Sequence, residues 1–405
     1  MQNQNCNSNI NMFTRLYLHI PFCLQKCGYC AFNSQELLDN DLNDYAALLL
    51  EEMQLVPKST TPGRMLDSIY FGGGTPSLLE AEQLGRIIKE AAELFGLGQD
   101  CEITLEANPG TVDQAQLTAF RSVGINRLSL GVQSFDDNFL DCLGRLHDAD
   151  QALNAFEDAR KAGFKNIGID LMYSLPSQNI KQWQSDLKQV IRLSPEHLSI
   201  YGLTVEEGAP FFQRYPHDSP ERPDEDISAD MFEMADDLLT AAGYEHYEIA
   251  NYARPGYRSR HNSGYWRRDG YLGLGVGAHS FFRDGNGVRI SNVDTLKEYW
   301  EELAAGRLPR LDKQCLTRNE AIEEYMFLGL RLADGVTLNE FEREFGCPCR
   351  SVYGTVIDEI VSLGLLLCHG NRLRLTRRGM LLSNQVFNRF LTSPSYRLQS
   401  AEPLP

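Results

Sequence analysis

Three cysteines lie within eight residues of one another, Cys23, Cys27 and Cys30, in the string HIPFCLQKCGYCAF. A loop of this length can place three thiolates on one face of a [4Fe-4S] cluster, whose remaining iron then has no protein ligand. An open iron of this kind can bind a small molecule directly. Two other interpretations stay open. One is a zinc site, although no fourth Cys or His stands at motif spacing, and the other is three structural cysteines.

A glycine string ends the next predicted strand and reads Gly72, Gly73, Gly74, Thr75 and Pro76. Glycine lacks a Cβ atom, so its backbone can approach a ligand closely. The string therefore predicts a backbone-lined binding site after this strand. The alternative is a tight turn between a strand and a helix.

The elements that must position these residues alternate between strands and helices. Short β-branched or aromatic runs predict six strands, at 15–22, 68–74, 102–109, 127–134, 166–174 and 197–204. Apolar residues at three-to-four spacing predict amphipathic helices between them, at 44–56, 80–95, 112–123, 148–163 and 180–193. Repeated βα units imply a parallel sheet with right-handed crossovers, and six of them predict an α/β fold with a partial (β/α)6 barrel.

Other polar residues stand at or just beyond the ends of these strands. In a (β/α) barrel the carboxyl ends of the strands form a mouth, and active sites are built there. We therefore expect Glu106, Asn108, Gln133 and Ser134 to point into the same mouth as the cysteines, where Arg145 and Asp170 supply further polar groups. Each of them could instead be a solvated or barrel-capping residue.

The rest of the chain does not continue the alternation of strands and helices. An acidic, Pro-rich stretch after residue 205 leads to an aromatic, Gly-rich segment, and helical patterns with a short hairpin at Gly370 and Asn371 follow from about residue 315. The predicted organisation is a disordered tail at 1–13, the barrel at 14–235, a barrel extension with an aromatic lid at 236–305, a small helical, winged-helix-like domain at 306–392, and a tail at 393–405.

Composition limits the partners that the chain can have. Its 405 residues are 42% hydrophobic and 23% charged, which is typical of a globular protein, and the formal net charge is -17. That charge argues against nucleic acid as a partner. No stretch approaches the roughly 18 apolar residues of a membrane-spanning helix, and the first residues lack the pattern of a signal peptide. We expect a cytoplasmic protein that is not integral to a membrane.

The C-x3-C-x2-C loop, with Tyr29 before its last cysteine, resembles the signature of the radical S-adenosylmethionine (SAM) superfamily. In that superfamily the amino and carboxylate groups of SAM chelate the open iron, and the reduced cluster cleaves SAM to a 5'-deoxyadenosyl radical. The resemblance implies that Gly73, Gly74 and Thr75 bind the methionine end of SAM. A partial barrel is also the fold of this superfamily.

The order of the polar residues and the strings around them resemble the oxygen-independent coproporphyrinogen III oxidase branch, from about residue 14 to 390. The resemblance implies that Tyr17 lies beside the cluster and that the SAM site is lined by Tyr29, Glu106, Gln133, Arg145 and Asp170. Two kinds of protein share this framework. The oxidases carry a further cysteine two residues after the third, and this chain has Phe32 there. The difference favours the haem chaperones of the branch.

The string RHNSGYWRR also fits the H-N-x-x-Y-W motif of these haem chaperones. The resemblance implies that haem is bound by His261, Asn262, Tyr265 and Trp266. Imidazole or phenolate can ligate haem iron, and an indole can stack on the porphyrin. The alternative for this string is an aromatic lid packed on the barrel mouth.

We therefore expect a haem chaperone that carries a [4Fe-4S] cluster and exchangeable SAM and hands haem to an acceptor protein. No residue is assigned a catalytic role, and neither the acceptor nor the electron donor is identified by the sequence. The resemblance also suggests self-association as a homodimer. The alternative function is that of an enzyme, a SAM-dependent coproporphyrinogen III dehydrogenase of porphyrin biosynthesis.

Overall fold

The computed structural model of the chain describes residues 13–38, 41–56 and 65–391. The two predicted tails, 1–13 and 393–405, lie outside these ranges except for Phe13. That side chain is 5% exposed and packs edge to face on Phe95 and Phe282, so it belongs to the core and not to the tail. Within the described ranges, no helix is long and apolar enough to cross a membrane.

The strands are numbered in chain order: β1 (Arg15–Ile20), β2 (Phe22–Cys23), β3 (Gln35–Glu36), β4 (Leu66–Gly73), β5 (Leu97–Ala107), β6 (Arg127–Gln133), β7 (Ile167–Tyr173), β8 (His197–Gly202), β9 (Glu245–Glu248), β10 (Asn251–Ala253), β11 (Tyr271–Leu274), β12 (His279–Phe282), β13 (Val288–Asn292), β14 (Arg310–Cys315), β15 (Val336–Thr337), β16 (Leu366–His369) and β17 (Arg372–Leu375).

The helices are numbered in the same way: α1 (Asp41–Leu55), α2 (Ala81–Phe95), α3 (Gln114–Ser122), α4 (Asp137–Leu143), α5 (Ala149–Lys161), α6 (Ile180–Leu193), α7 (Pro210–Arg214), α8 (Glu225–Ala241), α9 (Arg260–Trp266), α10 (Leu296–Ala304), α11 (Arg318–Gly329), α12 (Leu338–Phe345), α13 (Cys349–Ser362), α14 (Arg377–Leu381) and α15 (Ser383–Asn388).

Six parallel strands lie side by side at the centre of the large sheet, in the order β1-β4-β5-β6-β7-β8. They are the six strands that the sequence predicts, and α1, α2, α3, α5 and α6 are the five predicted helices. β6 is buried from Arg127 to Val132, because helices cover one face of the sheet and barrel side chains fill the other.

The large sheet has 12 strands and stays open. Strands β11, β12, β13 and β14 extend it beyond β1, and β10 and β9 extend it beyond β8. Its two edges are therefore β14 and β9, which do not pair with each other. This topology confirms the predicted α/β fold with a partial barrel.

Local sequence explains where several crossover helices begin. Asp113, Asp148 and Asn179 each accept a hydrogen bond from a backbone N–H of the first helical turn. In each case a glutamine three residues later bonds back to the backbone of the cap, which completes a capping box. These caps fix the point at which each connection turns back along the sheet.

The C-terminal domain has its own hydrophobic core, which includes Phe341, Ile357, Leu373 and Phe390. Helices α11, α12 and α13 pack on a three-stranded sheet in the order β15-β17-β16, and the predicted hairpin turns at Gly370 and Asn371. This is the predicted winged-helix-like arrangement. We call the β16–β17 hairpin the wing.

Two predicted domain boundaries need correction. α8 continues to Ala241, so no boundary falls at 235. β14 pairs along its length with β13 of the large sheet, so the C-terminal domain begins after Cys315 and not at 306. Most side chains of β14 are exposed, and its sequence RLDKQC therefore lacks the apolar alternation that would have identified it as a strand.

Candidate functional site

The cysteine loop lies where the carboxyl end of β1 meets β2. β2 pairs in parallel with β3, so the intervening loop closes back on its own start. The loop is anchored to its surroundings by backbone bonds from Gly28 N to Leu143 O (3.4 Å) and from Phe211 N to Gly28 O (2.9 Å). This anchoring holds all three cysteines at the mouth of the barrel.

Cys23, Cys27 and Cys30 are half-buried and border a single cavity of about 440 Å³. Among the described residues, no group of three or more Cys, His, Asp or Glu side chains converges closely enough to hold one metal ion. A four-iron cluster does not need that convergence, because each thiolate binds a different iron. The donor set and the cavity therefore fit a cluster better than they fit zinc.

The Cys23 thiol lies among groups that affect its ionisation. Burial raises the pKa of Cys23, as do the neighbouring Cys30 and Cys27, while the hydroxyls of Thr75 and Ser34 act in the opposite direction. A thiol becomes a thiolate when it binds a metal, so cluster binding would release this proton.

The glycine string packs directly against the cysteine loop. A Cβ atom on Gly74 would lie 2.5 Å from the carbonyl oxygen of Phe22 and 3.0 Å from the Sγ of Cys23, and a Cβ on Gly73, whose φ is +117°, would lie 2.7 Å from the His19 ring. Thr75 N donates to Phe22 O at 2.7 Å. Glycine is required here by close packing, and the same turn borders the cavity.

Two carboxylates enter the cavity from neighbouring parts of the sheet, Glu106 on β5 and Asp170 on β7. Glu106 accepts hydrogen bonds from the Tyr70 hydroxyl at 2.7 Å and from Gly73 N at 3.3 Å. Burial, together with a smaller contribution from Asp170, raises the pKa of Glu106 to about 7. Burial also raises the pKa of Asp170, against hydrogen bonds from Ser199 and Ser129 and the positive charge of Arg127.

Arg145 crosses the mouth and joins three elements. Its Nη1 donates to the Sγ of Cys27 at 3.5 Å, and its Nη2 donates to Gly131 O at 2.6 Å and to the Asn108 side chain. Gln133 lies nearby with a φ of +71°, in the left-handed region that non-glycine residues rarely adopt. Tyr29 packs edge to face on Phe211 and borders the same cavity.

The structure brings together eleven of the twelve residues predicted for the cluster and SAM. They share the cavity described above: Cys23, Cys27, Tyr29, Cys30, Gly73, Gly74, Thr75, Glu106, Gln133, Arg145 and Asp170. Tyr17 lies below the cavity, where its hydroxyl bonds to His19 Nδ1 at 3.0 Å and its ring stacks on Tyr70.

Sequence reasoning identified Asn108 in this cavity but missed Ser129, Met172 and Tyr201, which also line it. A usable signal was present. Alternate residues of a strand point to the same face of the sheet. Asn108 stands two positions after Glu106, Met172 stands two positions after Asp170, and Ser129 stands two and four positions before Gly131 and Gln133, so this period places them all on the cavity side.

The H-N-x-x-Y-W segment lies at the opposite end of the barrel, and it does not form a lid over the mouth. It forms α9, whose first N–H groups, those of Arg260 and His261, each donate to the carboxylate of Glu102 at 3.1 Å. Its other neighbours include Arg15 and Ser68, which stand near the starts of β1 and β4. We call this end of the barrel, closed by α9, the floor.

His261 is 1% exposed and both of its ring nitrogens are engaged. Nδ1 lies 2.8 Å from the Ser68 hydroxyl and Nε2 lies 2.7 Å from the Tyr265 hydroxyl. Burial lowers the pKa of His261 well below its usual range, and the nearby Arg15 and Arg127 lower it further, so the ring is neutral. Asn262 is half-buried, and its backbone N–H donates to Ser259, the cap of α9.

Trp266 ends α9 and faces the C-terminal domain. The Arg331 guanidinium lies 4.2 Å from the centre of the indole, and the ring borders cavities of about 670 and 210 Å³. The indole N–H is buried and finds no hydrogen-bond partner among the residues that the structure describes. Of the four predicted haem residues, Trp266 borders the larger of these spaces.

Comparison with known proteins places the chain among close relatives. Residues 17–190 match the radical SAM superfamily and residues 316–382 match the HemN C-terminal domain. Heme chaperone HemW of Lactococcus lactis is 37% identical over 93% of this chain and 96% of its own length, and heme chaperone HemW of Escherichia coli is 36% identical over 93% and 97%.

A solved structure has the same architecture. Coproporphyrinogen III oxidase (HemN) of Escherichia coli, a radical SAM enzyme, superposes with a TM-score of 0.83 at 25% identity, over 96% of this chain and 92% of that one. The relatives named HemW are thus more similar in sequence than the oxidase that shares the fold. The chain belongs to the HemW family of the radical SAM superfamily.

Proposed function

We propose that this protein is a haem chaperone, which binds haem and transfers it to an acceptor protein. The observation that carries the proposal is the 35–38% identity to four proteins named heme chaperone HemW, each over 93% of the chain. The presence of Phe32 at the position of the oxidases' additional cysteine supports the same choice.

We further propose that Cys23, Cys27 and Cys30 hold a [4Fe-4S] cluster in the cavity at the mouth. When bound, such a cluster supplies an open iron that the amino and carboxylate groups of SAM can chelate. The turn of Gly73, Gly74 and Thr75 borders the same cavity and would hold the methionine end of SAM through its backbone.

The other cavity residues would orient SAM from the opposite wall. Glu106 and Asp170 have oxygen atoms that can accept hydrogen bonds from ribose hydroxyls, and Arg145 supplies a buried positive charge for the SAM carboxylate. Gln133 and Tyr29 complete the polar lining, and Tyr17 supports the glycine turn from below, 3.0 Å from the position of a Cβ on Gly72.

The role of the four residues in the H-N-x-x-Y-W segment stays a proposal. Their packing favours contact with haem through Trp266, the member of the motif that borders a large cavity. His261 and Tyr265 bond to each other inside the floor and would hold α9 in place. Asn262 lies on the same helix, in its first turn.

A second candidate function is that of a coproporphyrinogen III dehydrogenase. It is favoured by the close structural match to the Escherichia coli enzyme over nearly the whole chain. In that case SAM would be consumed as hydrogen atoms are removed from the substrate's propionate side chains. The exposed Phe32 and the intact H-N-x-x-Y-W string count against it.

We place the protein in the cytoplasm, because a cluster held by free thiols needs a reducing compartment. Its partners would be the haem acceptor, an electron donor for the cluster and a second copy of the chain. Nucleic acid is not among them, since the net charge is -17.

Two parallel assays test the function. Cluster-reconstituted protein is titrated anaerobically with haemin while the Soret band is followed, and a second sample receives SAM, a reductant and coproporphyrinogen III. Saturable binding of one haem per chain without porphyrinogen turnover supports the chaperone. Turnover without saturable haem binding would establish the dehydrogenase and overturn our proposal.

A further inference from the structure

The outer face of the wing carries an unusual set of side chains. β16 and β17 pair so that Leu367 lies opposite Arg374 and His369 lies opposite Arg372. Because successive strand residues alternate between faces, these four share the face that looks away from the core residue Leu373. They border a cavity of about 630 Å³ together with Asp334 and Cys368.

The two arginines on this face have charges that the protein does not neutralise. Within the part of the chain that the structure describes, Arg372 and Arg374 pair with no carboxylate, and the one bond of Arg372 is from Nη1 to the backbone oxygen of Asp334 at 2.7 Å. By contrast, Arg377 at the base of the wing pairs with Asp236 and Asp237. A chain with a net charge of -17 thus leaves two adjacent cations facing a cavity.

This cavity continues toward the floor of the barrel. Arg372 and Asp334 also border the neighbouring cavity of about 670 Å³, which reaches Trp266 and Arg267. The acidic side chains along the way already have cationic partners, as the following pairs show: Asp334 with Arg258, Glu340 with Arg343, Glu344 with Arg268 and Arg283, and Asp269 with Arg15. The joined space is therefore lined largely by polar and charged side chains whose acidic members are already paired, with the two unpaired arginines at one end and an indole at the other.

The described side chains left without partners in this space suit a ligand that has anionic groups, an aromatic plane and a metal centre. Arginine binds carboxylates with paired donors, an indole packs on an aromatic plane, and an exposed imidazole can ligate iron. His369 is the exposed imidazole here. The neighbouring thiol of Cys368 is instead engaged with Nη2 of Arg350, at 3.7 Å. Haem combines all three features.

We propose that haem binds in the groove between the wing and Trp266, with His369 as iron ligand and with Arg372 and Arg374 holding the propionates. The proposal rests on the proposed chaperone function and adds a site to it. It places the iron ligand outside the H-N-x-x-Y-W segment. His261 then keeps its two hydrogen bonds within the floor when haem binds.

The test is an anaerobic haemin titration of the full-length, cluster-reconstituted protein, followed by the Soret band. We expect His369→Ala to weaken binding at least tenfold, about 1.4 kcal/mol, and to shift the Soret maximum. Added imidazole should restore the wild-type maximum, which a purely structural role of His369 would not explain. His217→Ala, which removes another exposed histidine, is the matched control and should bind as wild type does.

The arginines are tested with a second ligand, haemin dimethyl ester, which lacks the two carboxylates. The wild type should prefer haemin to the ester, and Arg372→Gln/Arg374→Gln should lose that preference. Arg378→Gln removes a nearby exposed charge that borders neither cavity, and it should keep the preference. Circular dichroism and iron content establish that each variant is folded.

The outcomes separate this inference from the proposed function. If wild type binds haemin, and both His369→Ala and the double arginine variant bind it equally well, the groove is not the site and the chaperone function stands. Loss of binding in His261→Ala alone, with unchanged stability, leads to the same conclusion. If wild type shows no saturable binding, both proposals fail.

Discussion

At the mouth of the barrel, Glu106 and Asp170 border an open cavity of about 440 Å³, whereas at the floor His261 and Tyr265 bond to each other and His261 is 1% exposed. Both ends contain titratable and aromatic side chains that are suited to ligand binding. The mouth leaves these carboxylates facing space that a ligand could fill, whereas the His261 ring at the floor is enclosed by its own partners.

The electrostatics of the two ends differ in the same way. At the mouth, burial raises the pKa of Glu106 to about 7, so its charge can change near neutral pH. At the floor, burial keeps His261 neutral, and Ser68 and Tyr265 occupy its ring nitrogens. A polar group that already has its partners stabilises the fold, while a group that still lacks them is available to a ligand.

The largest expected effect is at the mouth. Cys23→Ala, Cys27→Ala or Cys30→Ala should each abolish the four-iron content of anaerobically reconstituted protein, because the two remaining thiolates leave a second iron without a ligand. Iron and sulfide analysis measures this content. Cys347→Ala, in the C-terminal domain, is the control and should retain it. A cysteine-loop variant with undiminished iron would show that the loop does not hold the cluster.

A substitution at the floor should lower the stability of the protein. His261→Ala leaves the Ser68 and Tyr265 hydroxyls without their buried partner, and we expect the free energy of unfolding to fall by about 3 kcal/mol. Urea denaturation of the cluster-free protein measures this change, and His217→Ala should change the value by less than about 0.5 kcal/mol. Iron content after reconstitution should be unaffected. Unchanged stability would contradict our assignment of His261 to the floor.

A pH series tests the mouth more finely. If SAM hydroxyls donate to the ionised Glu106, whose pKa is about 7, affinity for SAM should rise by about tenfold from pH 6 to pH 8. Asp170, whose pKa burial also raises, acts in the same direction, while Arg127 opposes both shifts. Isothermal titration of reconstituted protein measures the affinity.

The control for the pH series is Glu106→Gln, which cannot ionise. It should bind SAM more weakly than wild type at pH 8 and show a flatter pH dependence. A wild-type affinity that stays constant between pH 6 and pH 8 would mean that Glu106 does not accept a hydrogen bond from SAM in its ionised form.

The mouth could be predicted from sequence because its residues obey a local rule. Most of them stand at or soon after the carboxyl end of a strand whose alternation is readable, and the topology brings all those ends together. The cysteine loop and the glycine turn follow β1 and β4, so that predicting the strands also placed Cys23 and Gly74 side by side.

The position of α9 could not be predicted in this way. The sequence of this seven-residue helix does not indicate at which end of the barrel the helix packs. Its position depends on Glu102, which accepts from the N–H of His261 across 159 positions of sequence, and on the close fit of Gly264 against Arg15. Such contacts become visible only when distant segments are seen together.

The smallest effect is expected at the rim of the mouth, where Phe32 is 70% exposed. Phe32→Cys restores the fourth cysteine of the oxidase pattern without removing a packed side chain, so the free energy of unfolding should change by less than about 0.5 kcal/mol. Urea denaturation measures this, and iron content and the coproporphyrinogen III assay complete the comparison. We expect no gain of turnover, because one thiol at an exposed rim does not rebuild a substrate site. Turnover in Phe32→Cys would instead show that a single rim residue separates the chaperone from the enzyme.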